Sequence, residues 1–248
     1  MKKKILLVSG DPVSVNSEII FKSWKNLDNS LKKKIFLISN LELMRKQFSK
    51  LNYKIKLNEV KNLNVKSNNN ELKVINIKLN FKNPFKIGDS ENSKFVRKCL
   101  NVAHKLAKNG TVGGLINCAI NKKILSKKNI GVTEYLASKC GLKDKSEVML
   151  LKSKKISVVP ITTHIDIRKI SANIKKLIIF SKIKTIHKWY KKNLKIKPKI
   201  AVLGLNPHNA ELRNNSEEKL IIMPVISKLK KIGIKMDGPF VADTIFIK

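Results

Sequence analysis

The chain has 248 residues, 53 Lys+Arg against 17 Asp+Glu, four His and three Cys. That length suits one large or two modest domains, and 42% hydrophobic residues can bury a real core, which excludes wholesale disorder. The net charge of +36 would point to nucleic acid, yet only four of the basic residues are Arg, and the lysines recur in nearly every segment beside Ile and Asn; no specific nucleic-acid partner is expected, although a positive field attracts phosphorylated or carboxylated substrates.

The N-terminus, MKKKILLVSGDP, begins like a secretory leader, but the apolar run Ile5–Val8 is too short and no small-residue cleavage site follows. No other run approaches the roughly 18 apolar residues of a membrane span. The expectation is a cytoplasmic protein without a membrane partner, opening directly on a strand. Ile5–Ser9 reads as that strand, followed by Gly10-Asp11-Pro12 and a helix from about Ser17 to Trp24. Lys34–Ser39 is a second strand and Leu41–Leu51 a helix. Tyr53–Leu79 alternates apolar and polar residues around an Asn-rich turn at Ser67–Asn70 and predicts an exposed hairpin. Glu91–Asn109 carries apolar residues at helical spacing and stops at Gly110. Gly114–Ile120 is nearly all apolar, as in a strand covered on both faces. A short helix, a loop at Gly131 and a helix from Thr133 follow. Val148–Leu151 and Ser157–Thr162 predict strands, Ser171–Asn193 one long helix, Lys199–Leu205 a buried strand, Glu217–Lys231 a helix closed by Gly233, and Phe240–Ile247 a half-exposed strand or loop. Cys99, Cys118 and Cys140 are odd in number without CxxC spacing, which suggests reduced thiols. Alternating strands and helices define an α/β protein with a mixed sheet covered by helices on both faces. The chain reads as one unit over 1–248, with a two-lobed division and a cleft near 110–210 as the variant.

Open α/β sheets bind ligands beyond the carboxyl ends of their strands. Thr162-Thr163-His164 closes one predicted strand and Asn206-Pro207-His208 another, so His164 and His208 occupy equivalent strand ends with one long helix between. Two neutral imidazoles converging there would make a metal pair, each about 2.1 Å from the ion, and a divalent ion would polarise a substrate oxygen. The competing reading is that each His caps a strand or bonds a loop. His104 and His187 fall on helices and read as structural. Asp11 reads as an Asx turn holding its own loop. Lys122 faces an anion or solvent, and no GxGxxG fingerprint is present.

Seven stretches resemble the 4-hydroxythreonine-4-phosphate dehydrogenase family of vitamin B6 biosynthesis, in collinear order along essentially the whole chain. They are GDPVSVNSEI (10–19), INCAINK (116–122), GVTEYLA (131–137), VML (148–150), TTHIDIR (162–168), LGLNPHNAE (203–211) and DGPFVADTIF (237–246). The resemblance implies an isocitrate/isopropylmalate-dehydrogenase-like fold and a homodimer. It implies oxidation of 4-phosphohydroxy-L-threonine, a small phosphorylated hydroxy-amino acid, with NAD or NADP. The β-keto acid formed then decarboxylates to 3-amino-2-oxopropyl phosphate. It further implies a divalent metal (Zn, Mg or Co) held by three His, two of them at His164 and His208, and a substrate-binding Thr at Thr133. Three departures stand out. Val132 replaces a substrate-contacting His; Val15, Asn16 and Ser17 stand where the family has GIGPE; and Ala210 stands at a glycine position. The chain also stops after the ADTIF motif, where the family continues into its third metal His and further substrate contacts. A C-terminally truncated enzyme is the resulting expectation. A related phosphorylated four-carbon sugar acid as substrate, or a non-catalytic remnant, are the alternatives.

Overall fold

A computed structural model describes residues 3–65, 70–125, 131–142, 146–163 and 165–246. The chain divides into two compact units, Met1–Lys139 and Cys140–Lys248.

The first unit is built on one parallel sheet of five strands: β1 (Lys4–Val8), β2 (Ile35–Ser39), β3 (Lys56–Glu59), β4 (Glu71–Asn76) and β5 (Val112–Asn117), in the spatial order β3-β4-β2-β1-β5. All four pairings are parallel. The central strand β2 (IFLIS) is buried at every residue, which is why it reads as an unbroken apolar run. Alternation divides the sheet between two cores. Leu6, Val8, Phe36 and Ile38 face one side, against Phe95, Val96, Cys99 and Leu100 of α4 (Asp89–Lys108). Leu37, Leu72 and Val74 face the other, against Ile20 and Trp24 of α1 (Asn16–Asn26) and Met44 and Phe48 of α3 (Leu41–Lys50). In chain order, α2 (Asn29–Lys32) lies between α1 and β2. Each fully buried Leu, Ile or Phe contributes about 1.5–3 kcal/mol, so β2 alone anchors both layers.

The helices obey local rules. The Asn40 side chain accepts from Leu43 N at 2.8 Å and caps α3, while its amide donates to Ile77 O at 2.9 Å, tying the cap to the chain beyond β4; such a cap is worth about 1 kcal/mol. Helix α4 carries Asp89 and Glu91 in its first turn and Lys105 and Lys108 in its last, matching the helix dipole. Gly110 follows it with φ +73°. Two short helices close the unit, α5 (Lys122–Leu125) and α6 (Val132–Lys139).

The second unit begins with an antiparallel pair, β6 (Leu151–Lys152) and β7 (Ser157–Val158). A 3-10 turn at Ile167–Lys169 leads into α7 (Ile170–Asn173) and α8 (Lys176–Trp189), which ends in a π turn at Tyr190–Leu194. Strand β8 (Ile200–Leu203) pairs in parallel with β9 (Met236–Phe240). A turn at Pro207–Leu212, a π turn at Glu218–Ile222 and α9 (Met223–Lys231) connect them. Ile179 and Ile183 of α8 pack with Val225, Ile226 and Leu229 of α9 and with Met236.

The α/β class with helices on both faces of the main sheet holds, but that sheet is parallel throughout rather than mixed, and several local expectations are corrected. The predicted hairpin is two parallel neighbours, β3 and β4, and β4 is mostly buried rather than exposed; the turn assigned to Ser67–Asn70 lies largely outside the described residues. Strand β5 is an edge, half exposed, with Ile116 open. Its apolar run reflects composition, and Gly113 and Gly114 give it no side chains to pack. The strand predicted at Ser157–Thr162 stops at Val158, two residues before Pro160, which has no N–H for a ladder. The long helix breaks at Ile174, extended at ψ 98°, and its side chain is buried in the core of the second unit. Strand β8 is only half buried. The last strand is Met236–Phe240, earlier than predicted, and the chain turns after it. Among the described residues no helix is long and apolar enough to cross a membrane.

Candidate functional site

Buried polar residues of the first unit gather at the carboxyl edge of its sheet, among them Ser9, Asp11, Asn16, Ser39, Asn40 and Asn92. The loop after β1 is built there. Asp11 Oδ1 accepts from Val13 N at 3.0 Å, the expected Asx turn, and from Asn92 Nδ2 at 2.9 Å. Asn16 replaces the missing glycine turn by a clamp. Its amide donates to Ala119 O at 2.7 Å and to Asp11 O at 3.3 Å, and its Oδ1 accepts from Ala119 N at 3.1 Å. The loop after β1 is thereby fastened to the loop after β5. Gly10, at φ +72°, permits the approach, because a Cβ there would lie 2.5 Å from Ala119 O. Gln47 of α3 donates to Pro12 O and Pro84 O and holds the outer side of the same loop.

Val132 and Thr133 form the first turn of α6. Thr133 is exposed, whereas Val132 is half buried against the first core. The valine therefore has a packing role, and no polar group stands in the place of the expected His.

In the second unit the chain leaves β8 through Gly204, Leu205 and Asn206 and enters a left-handed turn. His208, Asn209, Ala210, Glu211 and Leu212 all have φ between 49° and 55°. Left-handed geometry costs an L-residue of order 1–2 kcal/mol, so five in succession require support. Asn209 is buried and donates to Pro239 O of β9 at 3.0 Å, and Asn209 N donates to Asn206 O at 3.1 Å. Gly204 leaves room for Asn209, whose Oδ1 would lie 2.0 Å from a Cβ at that position. Beneath the turn, Glu218 is fully buried. Its Oε1 accepts from Leu205 N and Asn206 N, each at 2.8 Å, and its Oε2 from Asn206 Nδ2 at 3.0 Å. Burial pushes this carboxyl up, but the donors of Asn206 and Leu205 outweigh it and hold it below its ordinary range. Glu217 is held low as well, by Ser171 Oγ and by Asn206 Nδ2, the latter at 3.0 Å. The result is an exposed His208 ring carried on an over-determined turn at the carboxyl end of β8.

His164 lies outside the described residues, so its pairing with His208 rests on the sequence alone. Among the described residues no group of three or more His, Cys, Asp or Glu converges as a metal cluster. The imidazole of His208, exposed and held by its backbone, is a donor of the type a divalent ion takes. His104 and His187 are half-buried helix residues, and Lys122 is exposed at the start of α5. Glu218 and Asn16 were not singled out from sequence as site residues. The one signal for Glu218 is a Glu pair placed soon after a strand-end motif in a chain poor in acids.

A parallel α/β unit with its polar loops at the carboxyl edge, and a second unit presenting a histidine beyond a strand, define an α/β protein; open α/β sheets generally take their ligands beyond the carboxyl ends of their strands. The sequence model of pyridoxal phosphate biosynthetic protein PdxA matches residues 31–248. A 4-hydroxythreonine-4-phosphate dehydrogenase of Aquifex aeolicus is 34% identical over 251 residues, covering 100% of this chain and 77% of that protein. One from Sulfurihydrogenibium is 42% identical over 118 residues, 47% of this chain and 36% of the relative. The crystal structure of 4-hydroxythreonine-4-phosphate dehydrogenase from Klebsiella pneumoniae superposes with a TM-score of 0.85 at 25% identity, over 99% of this chain and 77% of that one. This chain belongs to the PdxA family, and its fold is the expected isocitrate/isopropylmalate-dehydrogenase-like α/β fold.

Proposed function

We propose that this chain is an NAD- or NADP-dependent oxidoreductase of pyridoxal phosphate biosynthesis. It oxidises the hydroxyl of 4-phosphohydroxy-L-threonine to a β-keto acid that loses CO₂ to give 3-amino-2-oxopropyl phosphate, and it works as a cytoplasmic homodimer. The observation that carries the reading is the exposed His208 on its held turn at the carboxyl end of β8, in a chain of this family. His208 and His164 would hold a divalent ion (Zn, Mg or Co), which when bound polarises the reacting oxygen as a Lewis acid. The nicotinamide cofactor, when bound, is the two-electron acceptor. The exposed Thr133 hydroxyl, at a helix start where the dipole favours an anion, would donate to the substrate. The Asn16 and Asp11 bonds fix the loop after β1 as a wall of the first unit's strand-end site.

Purified full chain, given 4-phosphohydroxy-L-threonine, NAD and each of the three metals, is expected to reduce NAD. His208→Ala should lower the metal-dependent rate by at least about 100-fold. Thr133→Val should raise KM by roughly 10-fold or more, the worth of one bond to a charged group. Val132 favours a second reading, because an apolar side chain there removes a polar contact: turnover of 4-phosphoerythronate would then exceed that of the amino-acid substrate. A chain that reduces no NAD with either substrate would end the dehydrogenase reading.

A further inference from the structure

We propose that Glu218 is a positioning residue for the His208 site: its buried carboxylate locks the end of β8, and through Asn206 the left-handed turn that aims the His208 ring. The proposal rests on His208 being a metal ligand. Four hydrogen bonds reach the carboxylate from two consecutive residues, Leu205 and Asn206, at 2.8, 2.8, 3.0 and 3.3 Å. Asn206 is also the residue whose carbonyl accepts from Asn209 N, the first bond inside the turn. A continuous line of contacts thus joins Glu218 to the backbone on either side of His208. A carboxylate accepts from several N–H groups at once, whereas an amide of the same shape would turn an NH₂ toward donors. Five left-handed residues in series relax toward right-handed geometry if their base is loosened. The ring would then be presented over a range of positions, and a ligand that is not held loses affinity by roughly 10–100-fold.

The test uses the full chain with Co²⁺ alone as probe, titrated by visible absorption, and amide hydrogen exchange at Leu205 and Asn206 in metal-free protein. Glu218→Gln is expected to weaken Co²⁺ binding by roughly 10–100-fold and to speed exchange at both amides, and Glu218→Asp to recover part of the affinity. Should Glu218→Gln fail to fold, Glu218→Asp decides alone, with weakened binding expected. Glu218→Gln binding Co²⁺ as the parent does, within about twofold, or Glu218→Asp doing so where Glu218→Gln does not fold, overturns the positioning role and leaves the metal reading intact. A parent that binds no Co²⁺, or binds it equally after His208→Ala, overturns the metal reading instead, and the positioning role with it.

Discussion

Ala210 holds a left-handed backbone (φ 49°) and is buried in the His208 turn. Ala210→Gly removes a strain of about 1–2 kcal/mol while adding about 0.5–1 kcal/mol of unfolded-state entropy. A net stabilisation of about 0.5–1 kcal/mol is expected in urea unfolding, and a loss of stability would show that the Ala210 methyl packs better than its backbone is strained. Lys73 of β4 is almost fully buried, donates to Lys32 O and Lys33 O at 3.2 and 2.9 Å, and lies 4.8 Å over the Phe36 ring. Burial, and then the charge of Lys4, lower its pKa from 10.5 to about 8. Between those values the unfolded chain binds the proton and the folded chain does not, so folding gains stability as pH rises. The melting temperature of the parent should therefore climb relative to Lys73→Met between pH 7 and pH 9; a constant difference would contradict the shift. The position of His208 beyond β8 follows from the strand that ends beside it. Glu218 was not legible in the sequence, because its partners lie 12 and 13 residues away across a turn whose handedness no pattern of residue types announces.

At the level of elements, the loop after β1 and the loop after β5 are one structure because Asn16 bonds both Ala119 N and Ala119 O. Asn16→Ala leaves these groups without their partner and is expected to cost about 2 kcal/mol. Exchange of the Ala119 amide should rise with it, and an unchanged Ala119 would show the clamp to be dispensable. Strands β1 and β2 and helices α1, α3 and α4 were legible because each carries its apolar residues as a strand run or at helical spacing. The β3–β4 pair was misread because alternation marks a strand without saying which way its neighbour runs. Parallel pairing needs a long crossover, and the Asn-rich stretch between them looked like a tight turn. Strand β5 shows the converse: apolar residues predicted coverage, but only position in the sheet decides it.

For the whole molecule, a charge of +36 would steer the phosphorylated substrate proposed above. Raising salt from roughly 20 to 200 mM shortens the screening length severalfold and should lower kcat/KM for the phosphorylated substrate by about 10-fold with kcat unchanged. A salt-independent kcat/KM would show that the lysines are too scattered to steer. The α/β class and the collinear motifs were readable along the full length, because both depend on order rather than on distance. A two-lobed division was one of the two readings of the sequence, but no linker-like composition marks a boundary near Lys139, where the structure divides. That division has a thermodynamic corollary. Each of the three buried apolar clusters is confined to one side of Lys139, two before it and one after. Residues 1–139 expressed as an autonomous fragment should give a cooperative calorimetric endotherm, and the intact chain should melt in more than one step.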